Sequence, residues 1–157
     1  MPRRLLLLIL SCTVLLAACH HGVVKRVSEP AASLQQLSVA SDGRWKVQLR
    51  LQNYSTVAMV YDAVDLQVAV AGQEAGHLRA SPGFSIGPSF ADVASIDLAP
   101  TPAARMAVAD ALASGAILSY TLKGTITATP NEGKPRSFEI DTRSTLSPAP
   151  GLTGVLR

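Results

Sequence analysis

The sequence predicts a mainly β fold, an antiparallel β-sandwich of about seven short strands with one short α-helix. Apolar and polar residues alternate with a period of two in several runs, which is typical of strands with one face on a core and one in water. Gly- and Pro-rich turn signals separate these runs. One segment between two of the runs has helical spacing instead. Short alternating strands with frequent turns favour two packed sheets.

The first two runs and the segment after them predict a strand followed by a hairpin. In residues 44–52, RWKVQLRLQ, the apolar face is Trp45, Val47, Leu49 and Leu51, and the polar face is Lys46, Gln48, Arg50 and Gln52. In residues 60–72, VYDAVDLQVAVAG, the predicted core face is Val60, Val64, Leu66, Val68 and Val70, with Asp62 as the exception. Residues 73–80, QEAGHLRA, are the predicted return strand, with the turn at Gly72 and Gln73.

The middle of the chain combines a loop signal with another strand. Residues 81–89, SPGFSIGPS, are rich in Gly and Pro and predict a loop or a short strand. Residues 90–100, FADVASIDLAP, alternate again, with Phe90, Ala94, Ile96 and Leu98 on one side. Asp92 interrupts this face, so the pattern leaves the register of its first residues open.

One helix is predicted between Thr101 and Gly115. Thr101 is a suitable N-cap, Pro102 suits the first helical position, and Gly115 suits the stop. Met106, Ala109 and Leu112 recur at helical spacing and are expected to share a face. A helix of about three turns is marginal alone, so we expect it to pack on a sheet.

The last two strands are predicted before a loose tail. Residues 117–129, ILSYTLKGTITAT, place Leu118, Tyr120, Leu122 and Ile126 on one face. Residues 130–137, PNEGKPRS, are a turn, and residues 137–146, SFEIDTRSTL, place Phe138, Ile140 and Leu146 together. The remaining residues, 147–157, are rich in Pro and Gly and are expected to form a flexible C-terminal tail.

The first eighteen residues have the layout of a secretory signal. Arg3 and Arg4 precede an apolar run of fourteen residues, LLLLILSCTVLLAA. This run is shorter than the roughly 20 residues that a membrane-spanning helix needs. A short membrane anchor remains the alternative interpretation of this segment.

The end of this segment, Leu16-Ala17-Ala18-Cys19, resembles the lipobox of bacterial lipoproteins. The resemblance implies that residues 1–18 are cleaved off and that Cys19 becomes the first residue, carrying three acyl chains. Several chains anchor a protein firmly, whereas one does so only marginally. His20, in place of Asp, favours the outer membrane with the domain facing the periplasm. Residues 19–33 are expected to be a lipidated, flexible linker, with an ordered edge strand around Val23 to Val27 as the alternative.

Composition excludes several classes of protein. The chain of 157 residues carries 14 basic and 11 acidic side chains. Loss of Arg3 and Arg4 leaves 12 against 11, or +1, and shortens the chain by 18 residues to 139, the size of one domain. No basic stripe interleaved with aromatic residues is present, so we expect no nucleic-acid partner. Cys12 lies in the signal and Cys19 is lipidated, so the domain is expected to fold without disulfides.

Three stretches resemble the late-embryogenesis-abundant type 2 family, whose domain is also called the water-stress and hypersensitive-response (WHy) domain. They are LRLQNYST, VDLQVAVAGQEAGHL and SYTLKGTI, in that order along residues 34–146. Of the family's Asn-Pro-Asn motif only Asn53 is present, since Tyr54 and Ser55 depart from it. The resemblance implies an immunoglobulin- or fibronectin-like sandwich with a short helix, an association with desiccation and stress tolerance, and no assigned catalytic residues.

No catalytic, cofactor or metal site is expected from the residues themselves. His20 and His21 are adjacent but lack the Cys or spaced carboxylates that would complete a metal site, and a solvated linker is the better interpretation. His77 precedes Ser81 and Ser85 without a nucleophile-elbow motif. Asp62 and Asp65 are three apart and face opposite sides of a strand, so they do not form an acid–base pair.

Two functions follow as expectations. The first is a non-enzymatic envelope lipoprotein in stress or desiccation tolerance, attached to the membrane through Cys19, whose polar strand faces meet water or client proteins. The second is an adaptor subunit of a transport or secretion assembly, with a contact loop at Phe84 and Ile86. An enzyme is the least favoured class. A lipid-binding groove between the sheets stays open, because apolar core faces look the same in either case.

Overall fold

The computed structural model describes residues 24–157, so the predicted signal, Cys19, His20 and His21 lie outside the described residues. The described chain forms one helix, α1 (Pro102–Ser114), and nine strands. The strands are β1 (Ala31–Val39), β2 (Trp45–Gln52), β3 (Met59–Val70), β4 (Gln73–Ala80), β5 (Ser85–Ile86), β6 (Ala91–Leu98), β7 (Leu118–Pro130), β8 (Arg136–Leu146) and β9 (Val155–Leu156).

Two antiparallel sheets form a sandwich, which confirms the predicted fold class. The first sheet has the strand order β6-β2-β1-β9, and the second has the order β4-β3-β7-β8 with β5 beside β3. The sheets approach each other along both sides, where β4 contacts β6 and β1 contacts β8. The inner faces of both sheets and one face of α1 supply a single apolar core.

The alternation in β2 is borne out residue by residue. Trp45, Val47, Leu49 and Leu51 are all buried, while Lys46 and Arg50 are exposed. The pattern holds because β2 lies between β1 and β6, so that each of its side chains points either into the core or away from it. Leu118, Tyr120, Leu122 and Ile126 of β7 follow the same rule in the second sheet.

A β-bulge in β3 explains why Asp62 interrupted the predicted face. The pairing of β3 with β7 shifts register between Tyr61 and Ala63. An extra residue at a bulge exchanges the two faces of a strand. Met59 and Tyr61 are therefore buried before the bulge, and Val64 is buried after it. The placement of Val60 on the core face was wrong, because Val60 precedes the bulge and is half-buried on the other face.

The helix has its predicted ends but not its predicted face. The Thr101 hydroxyl accepts a hydrogen bond from the Ala104 N–H, Pro102 is the first residue, and Gly115 is left-handed at φ 70°. Ala104, Val108 and Ala111 are the buried residues, whereas Met106 is 63% exposed. The helix packs on β4, and small side chains allow that close approach. The expectation that Met106 belongs to the packed face is therefore wrong.

The N-terminal boundary of the domain needs correction. β1 begins at Ala31, inside the predicted linker 19–33, and no strand forms around Val24 to Val27. The strand escaped prediction because its pairing with β2 is bulged between Leu34 and Gln36. Leu34 and Leu37 are both buried although they are three residues apart, so the period of two is lost.

The C-terminal tail is ordered rather than loose. β9 pairs with β1 through Leu37 and Leu156, and Leu156 is fully buried. Ser147 and Arg157 exchange two backbone hydrogen bonds, which fold residues 147–157 back on themselves. Pro and Gly in this segment supply turns, and one apolar anchor residue then fixes the end of the chain.

Two buried tyrosines of the core differ in how their hydroxyl groups are satisfied. The Tyr120 hydroxyl accepts a hydrogen bond of 3.0 Å from the buried Leu34 N–H, at the bulge of β1. The Tyr61 hydroxyl has no hydrogen-bond partner among residues 24–157. Burial raises the pKa of Tyr61 to about 12. The two hydroxyls should therefore affect stability in opposite directions.

We expect Tyr120→Phe to lower the free energy of unfolding by about 1–3 kcal/mol, because the Leu34 N–H loses its acceptor in the core. Tyr61→Phe should leave it unchanged or raise it by up to about 1 kcal/mol, because it removes a desolvated and unpaired hydroxyl. Urea denaturation of the two variants checks the direction of both changes in the free energy of unfolding. Equal losses would contradict the assignment of their hydrogen bonds.

Alkaline pH gives a second test of Tyr61. Its folded pKa of about 12 lies above the reference value of 10.0, so the unfolded chain ionises first as pH rises. The contribution of neutral Tyr61 to the free energy of unfolding is therefore fully present below pH 10 and is lost between pH 10 and 12. The Tyr61→Phe variant lacks this contribution, and unfolding free energies measured across that range should decline less than those of the parent protein.

Candidate functional site

The N-terminal residues 24–30, which we call the entry segment, are fastened to one end of the sandwich. They have no regular secondary structure and run beside the loop between β2 and β3. The Thr56 N–H donates to the Arg26 carbonyl at 2.9 Å. The Thr56 hydroxyl accepts from the Arg26 N–H and donates to the Val24 carbonyl, both at 2.7 Å. The expected flexible linker is therefore docked from Val24 onward.

Ser55 adds a second fastening point. Its hydroxyl is fully buried, accepts from the Ser28 N–H at 3.0 Å, and lies 3.4 Å from the Ser28 carbonyl. Lys25 also forms an exposed ion pair with Glu132 in the turn between β7 and β8. The hydrogen bond and charge of Lys25 lower the pKa of Glu132. The entry segment is thus held by the β2–β3 loop and by the β7–β8 turn.

Asn53 organises the same end from within. Its side chain is 1% exposed, and its Nδ2 donates to the carbonyls of Val57, Ile86 and Gly87 at 2.9, 3.0 and 3.0 Å. Its Oδ1 accepts from the Ser55 N–H at 2.8 Å. Its backbone N–H donates to the Phe90 carbonyl at 2.9 Å. One side chain therefore joins the β2–β3 loop to the loop around β5.

The sequence pointed to Asn53 through one motif position but missed what Ser55 and Thr56 do. Their signal was a run of short hydroxyl side chains just after a strand, which can bond backbone groups of a neighbouring segment. Nothing in the sequence names that segment, because Ser28 and Ser55 are 27 residues apart. The constellation is satisfied internally, so its role is to position the chain rather than to perform chemistry.

The expected contact loop at Phe84 and Ile86 is not a free apolar surface. Ile86 lies in β5, pairs with Met59 and is 2% exposed, and Phe84 is half-buried against the core. The Tyr61 N–H donates to the Phe84 carbonyl at 3.0 Å, which holds the loop against β3. The two-residue strand β5 agrees with the prediction of a loop or a short strand over residues 81–89.

A charged cluster lies on the outer face of the second sheet. Asp65 accepts from His77 Nδ1 at 2.9 Å and from Arg79 Nε at 3.0 Å. Both hydrogen bonds lower the pKa of the Asp65 carboxyl, and the one from His77 has the larger effect. Asp62 instead accepts from the Thr129 hydroxyl at 2.7 Å. The prediction that Asp62 and Asp65 face opposite sides of the strand was wrong, because the bulge between Tyr61 and Ala63 leaves both on the outer face of the sheet. The two carboxyl groups have different hydrogen-bond partners there.

The helix end of the sandwich has an apolar groove of about 200 Å³ between α1 and the β1–β2 turn. Its walls include Val39, Trp45, Val108 and Leu112, with Arg105 at the side. A wider groove of about 720 Å³ continues along residues 148–154 and includes Leu152. The groove of about 200 Å³ is smaller than most small-molecule sites, so one or two inserted apolar side chains fit it better than a whole ligand does.

Within residues 24–157, no group of three or more His, Cys, Asp or Glu side chains is arranged to hold a metal ion. Within the same range, no helix combines the length and the apolar composition needed to cross a membrane.

No protein-family model matches the sequence, and no curated protein matches it either. The chain is similar to the solution structure of AT1g01470 from Arabidopsis thaliana, with a TM-score of 0.50 and 14% identity over 82% of this chain and 85% of that one. A crystal structure from Archaeoglobus fulgidus aligns with a TM-score of 0.38 and 13% identity, over 76% of this chain and 97% of that one. The Northeast Structural Genomics Consortium target SoR45 aligns with a TM-score of 0.41 and 12% identity, over 81% and 88%. At these identities the likeness to the Arabidopsis protein concerns the fold alone.

We expect Asn53→Ala to lower the free energy of unfolding by about 3 kcal/mol or more, since it leaves several buried backbone groups unpaired. Asn53→Asp should be at least as damaging, because a carboxylate cannot donate to three carbonyl oxygens. Asn131→Ala is the matched control, since Asn131 is exposed in a turn. Urea denaturation of the three variants checks the order, and a stable Asn53→Asp protein would contradict this role.

Proposed function

We propose that the chain is a non-enzymatic domain of the bacterial cell envelope, attached to the membrane through lipids on Cys19 and active in stress or desiccation tolerance. The observation that carries the proposal is the fastened entry segment. Val24 lies five positions after Cys19 and is hydrogen-bonded at one end of the sandwich. A chain that enters at a fixed end presents its domain to the membrane in a defined direction.

The lipid anchor is supported by the sequence Leu16-Ala17-Ala18-Cys19 at the end of an apolar run. Each buried CH₂ group contributes about 0.8 kcal/mol, so three acyl chains hold a domain at a bilayer where one chain exchanges. On this proposal the domain lies in the periplasm and is attached to the outer membrane, consistent with His20 after the cysteine.

The protective role is supported by the outer face of the second sheet and by the sequence resemblance to the type 2 family. Successive rows on that face place Asp65 beside Thr125, Gln67 beside Lys123, and Lys123 beside Asp141. Side chains of both signs alternate with hydroxyl and amide groups. Such a surface can replace water at the polar surface of a client protein through hydrogen bonds.

A drying assay tests the protective role. A labile reporter enzyme dried with the purified protein should retain more activity than with an inert protein at equal mass. Lys123→Ser combined with Arg143→Ser should reduce the protection, because both side chains lie on the outer sheet face. Arg44→Ser with Arg105→Ser, exposed at the helix end, is the matched control. Protection equal to that of the inert protein would reject the role.

A second candidate, an adaptor subunit, is favoured by one observation, the apolar groove beside α1. Its continuation includes Leu152, which is exposed, and the enclosed part has room for an inserted side chain. On this alternative the contact surface lies at the helix end rather than at Phe84 and Ile86.

Capture of the lipidated protein from mildly solubilised envelopes distinguishes the two candidates. An adaptor should bring down a stoichiometric companion, and Cys19→Ala should lose it through mislocalisation. Leu152→Asp should also lose the companion, whereas Phe90→Asp, exposed at the opposite end, should retain it. A companion that survives Leu152→Asp would remove the groove from consideration.

A further inference from the structure

Exposed apolar side chains, two of them aromatic, surround the point where the entry segment begins. Val24 is 77% exposed, Tyr54 is 55% exposed and Phe90 is 70% exposed. Hydrogen bonds place them together, since the Val24 carbonyl accepts from Thr56 and the Phe90 carbonyl accepts from the Asn53 N–H. Amphipathic aromatic side chains concentrate at the level of lipid headgroups.

Basic side chains frame the same end. Lys25 and Arg26 lie in the entry segment, and Lys134 and Arg136 lie at the β7–β8 turn, all of them exposed. The acidic side chains of these segments are Glu29 and Glu132, of which Glu132 pairs with Lys25. The entry segment and the β7–β8 turn thus carry four basic and two acidic side chains, a net charge of +2 for these two segments. Basic residues close to an anionic bilayer are attracted to it.

The opposite end differs in both respects. Its β1–β2 turn and helix carry Asp42, Arg44, Arg105 and Asp110, which sum to zero. Its exposed large apolar side chains are Met106, Ile117 and Leu152, and none of them is aromatic. Charge and aromatic exposure therefore distinguish the end at which the entry segment begins.

The reach of the chain adds a geometric constraint. Cys19 and Val24 are five residue steps apart, so even a fully extended chain separates their Cα atoms by at most about 18 Å. The headgroup region of a bilayer is roughly 5–8 Å thick on each side of the hydrocarbon. A domain whose Val24 is fastened in place cannot stand far above the headgroups if Cys19 carries its lipids in the membrane.

We propose that this end of the sandwich, with Val24, Tyr54, Phe90 and the four basic side chains around them, rests on the surface of an anionic phospholipid bilayer. The aromatic rings lie among the headgroups, and the basic groups lie near the phosphates. The inference rests on the proposed lipidation of Cys19. It implies that the domain docks on the bilayer in a single orientation and does not move freely at the end of a flexible linker.

A pair of tryptophan reporters tests the docked orientation. The lipidated protein is reconstituted into vesicles of phosphatidylglycerol and phosphatidylethanolamine, with Phe90→Trp in one variant and Met106→Trp in the other. Both sites are exposed in the domain, and the native Trp45 is buried and gives a constant background. The Phe90→Trp emission should move to shorter wavelength and become protected from an aqueous quencher. The Met106→Trp emission should remain that of a solvent-exposed ring.

Charge variants supply the second arm. Lys134→Glu with Arg136→Glu should reduce the equilibrium constant for docking by at least about five-fold for each basic group replaced. Arg44→Glu with Arg105→Glu, at the opposite end, should leave it unchanged. High salt should act like the first variant, because the screening length falls from about 8 Å at 0.15 M to about 3 Å at 1 M.

Three results overturn the proposal, and they are distinguishable. Acylated protein that floats with the vesicles while both reporters stay in water keeps the anchor and rejects docking. A Phe90→Trp shift that rises with protein concentration and is equal in phosphatidylcholine vesicles assigns the surface to a second copy. Absence of acyl groups on the N-terminal peptide by mass spectrometry rejects the anchor and docking together.

Discussion

The buried side chain of Asn53 is the constraint on which one end of the molecule depends. Its amide reaches three carbonyl oxygens in two different loops, and its oxygen receives the Ser55 N–H. That last bond sets the turn that presents Ser55 and Thr56 to the entry segment. The path of the chain from Val24 to β1 therefore follows from a single amide, because each later contact requires the loop conformation that Asn53 fixes.

The two ends of the sandwich are formed by different structural elements. The Asn53 end is made of loops whose polar groups are satisfied by short side chains, and its exposed side chains include two aromatic rings and an excess of basic over acidic groups. The helix end is made of α1 and the folded tail, whose small residues leave an apolar groove. Between the ends, β4 contacts β6 and β1 contacts β8, so the groove and the loop surfaces lie at the ends and the polar outer face of the second sheet lies between them.

The sandwich and most of its strands could be predicted because β2 and β7 bury one face each, and a period of two records that directly. Prediction failed where a bulge resets the period, at Leu34 in β1 and at Asp62 in β3. Prediction failed again where side-chain size decides which helix face is packed. Alanine and valine residues of α1 are buried, and Met106 is not. At the Asn53 end the sequence marked only Asn53, because its partners Ile86 and Gly87 are distant in sequence and backbone acceptors leave no sequence signature.

The fastened entry segment limits the orientations that the domain can adopt on the proposed lipid anchor. A long flexible tether lets a domain sample every orientation, so its surfaces meet the membrane and the periplasm equally. Here no more than five residue steps separate Cys19 from a hydrogen-bonded position, and that position lies beside aromatic and basic groups. If the Asn53 end faces the bilayer, the groove beside α1 faces away from it, and the polar sheet faces stand between. On the proposed lipid anchor, the orientation of the domain then follows from the short hydroxyl side chains of Ser55 and Thr56, and the apolar groove stays accessible to a protein.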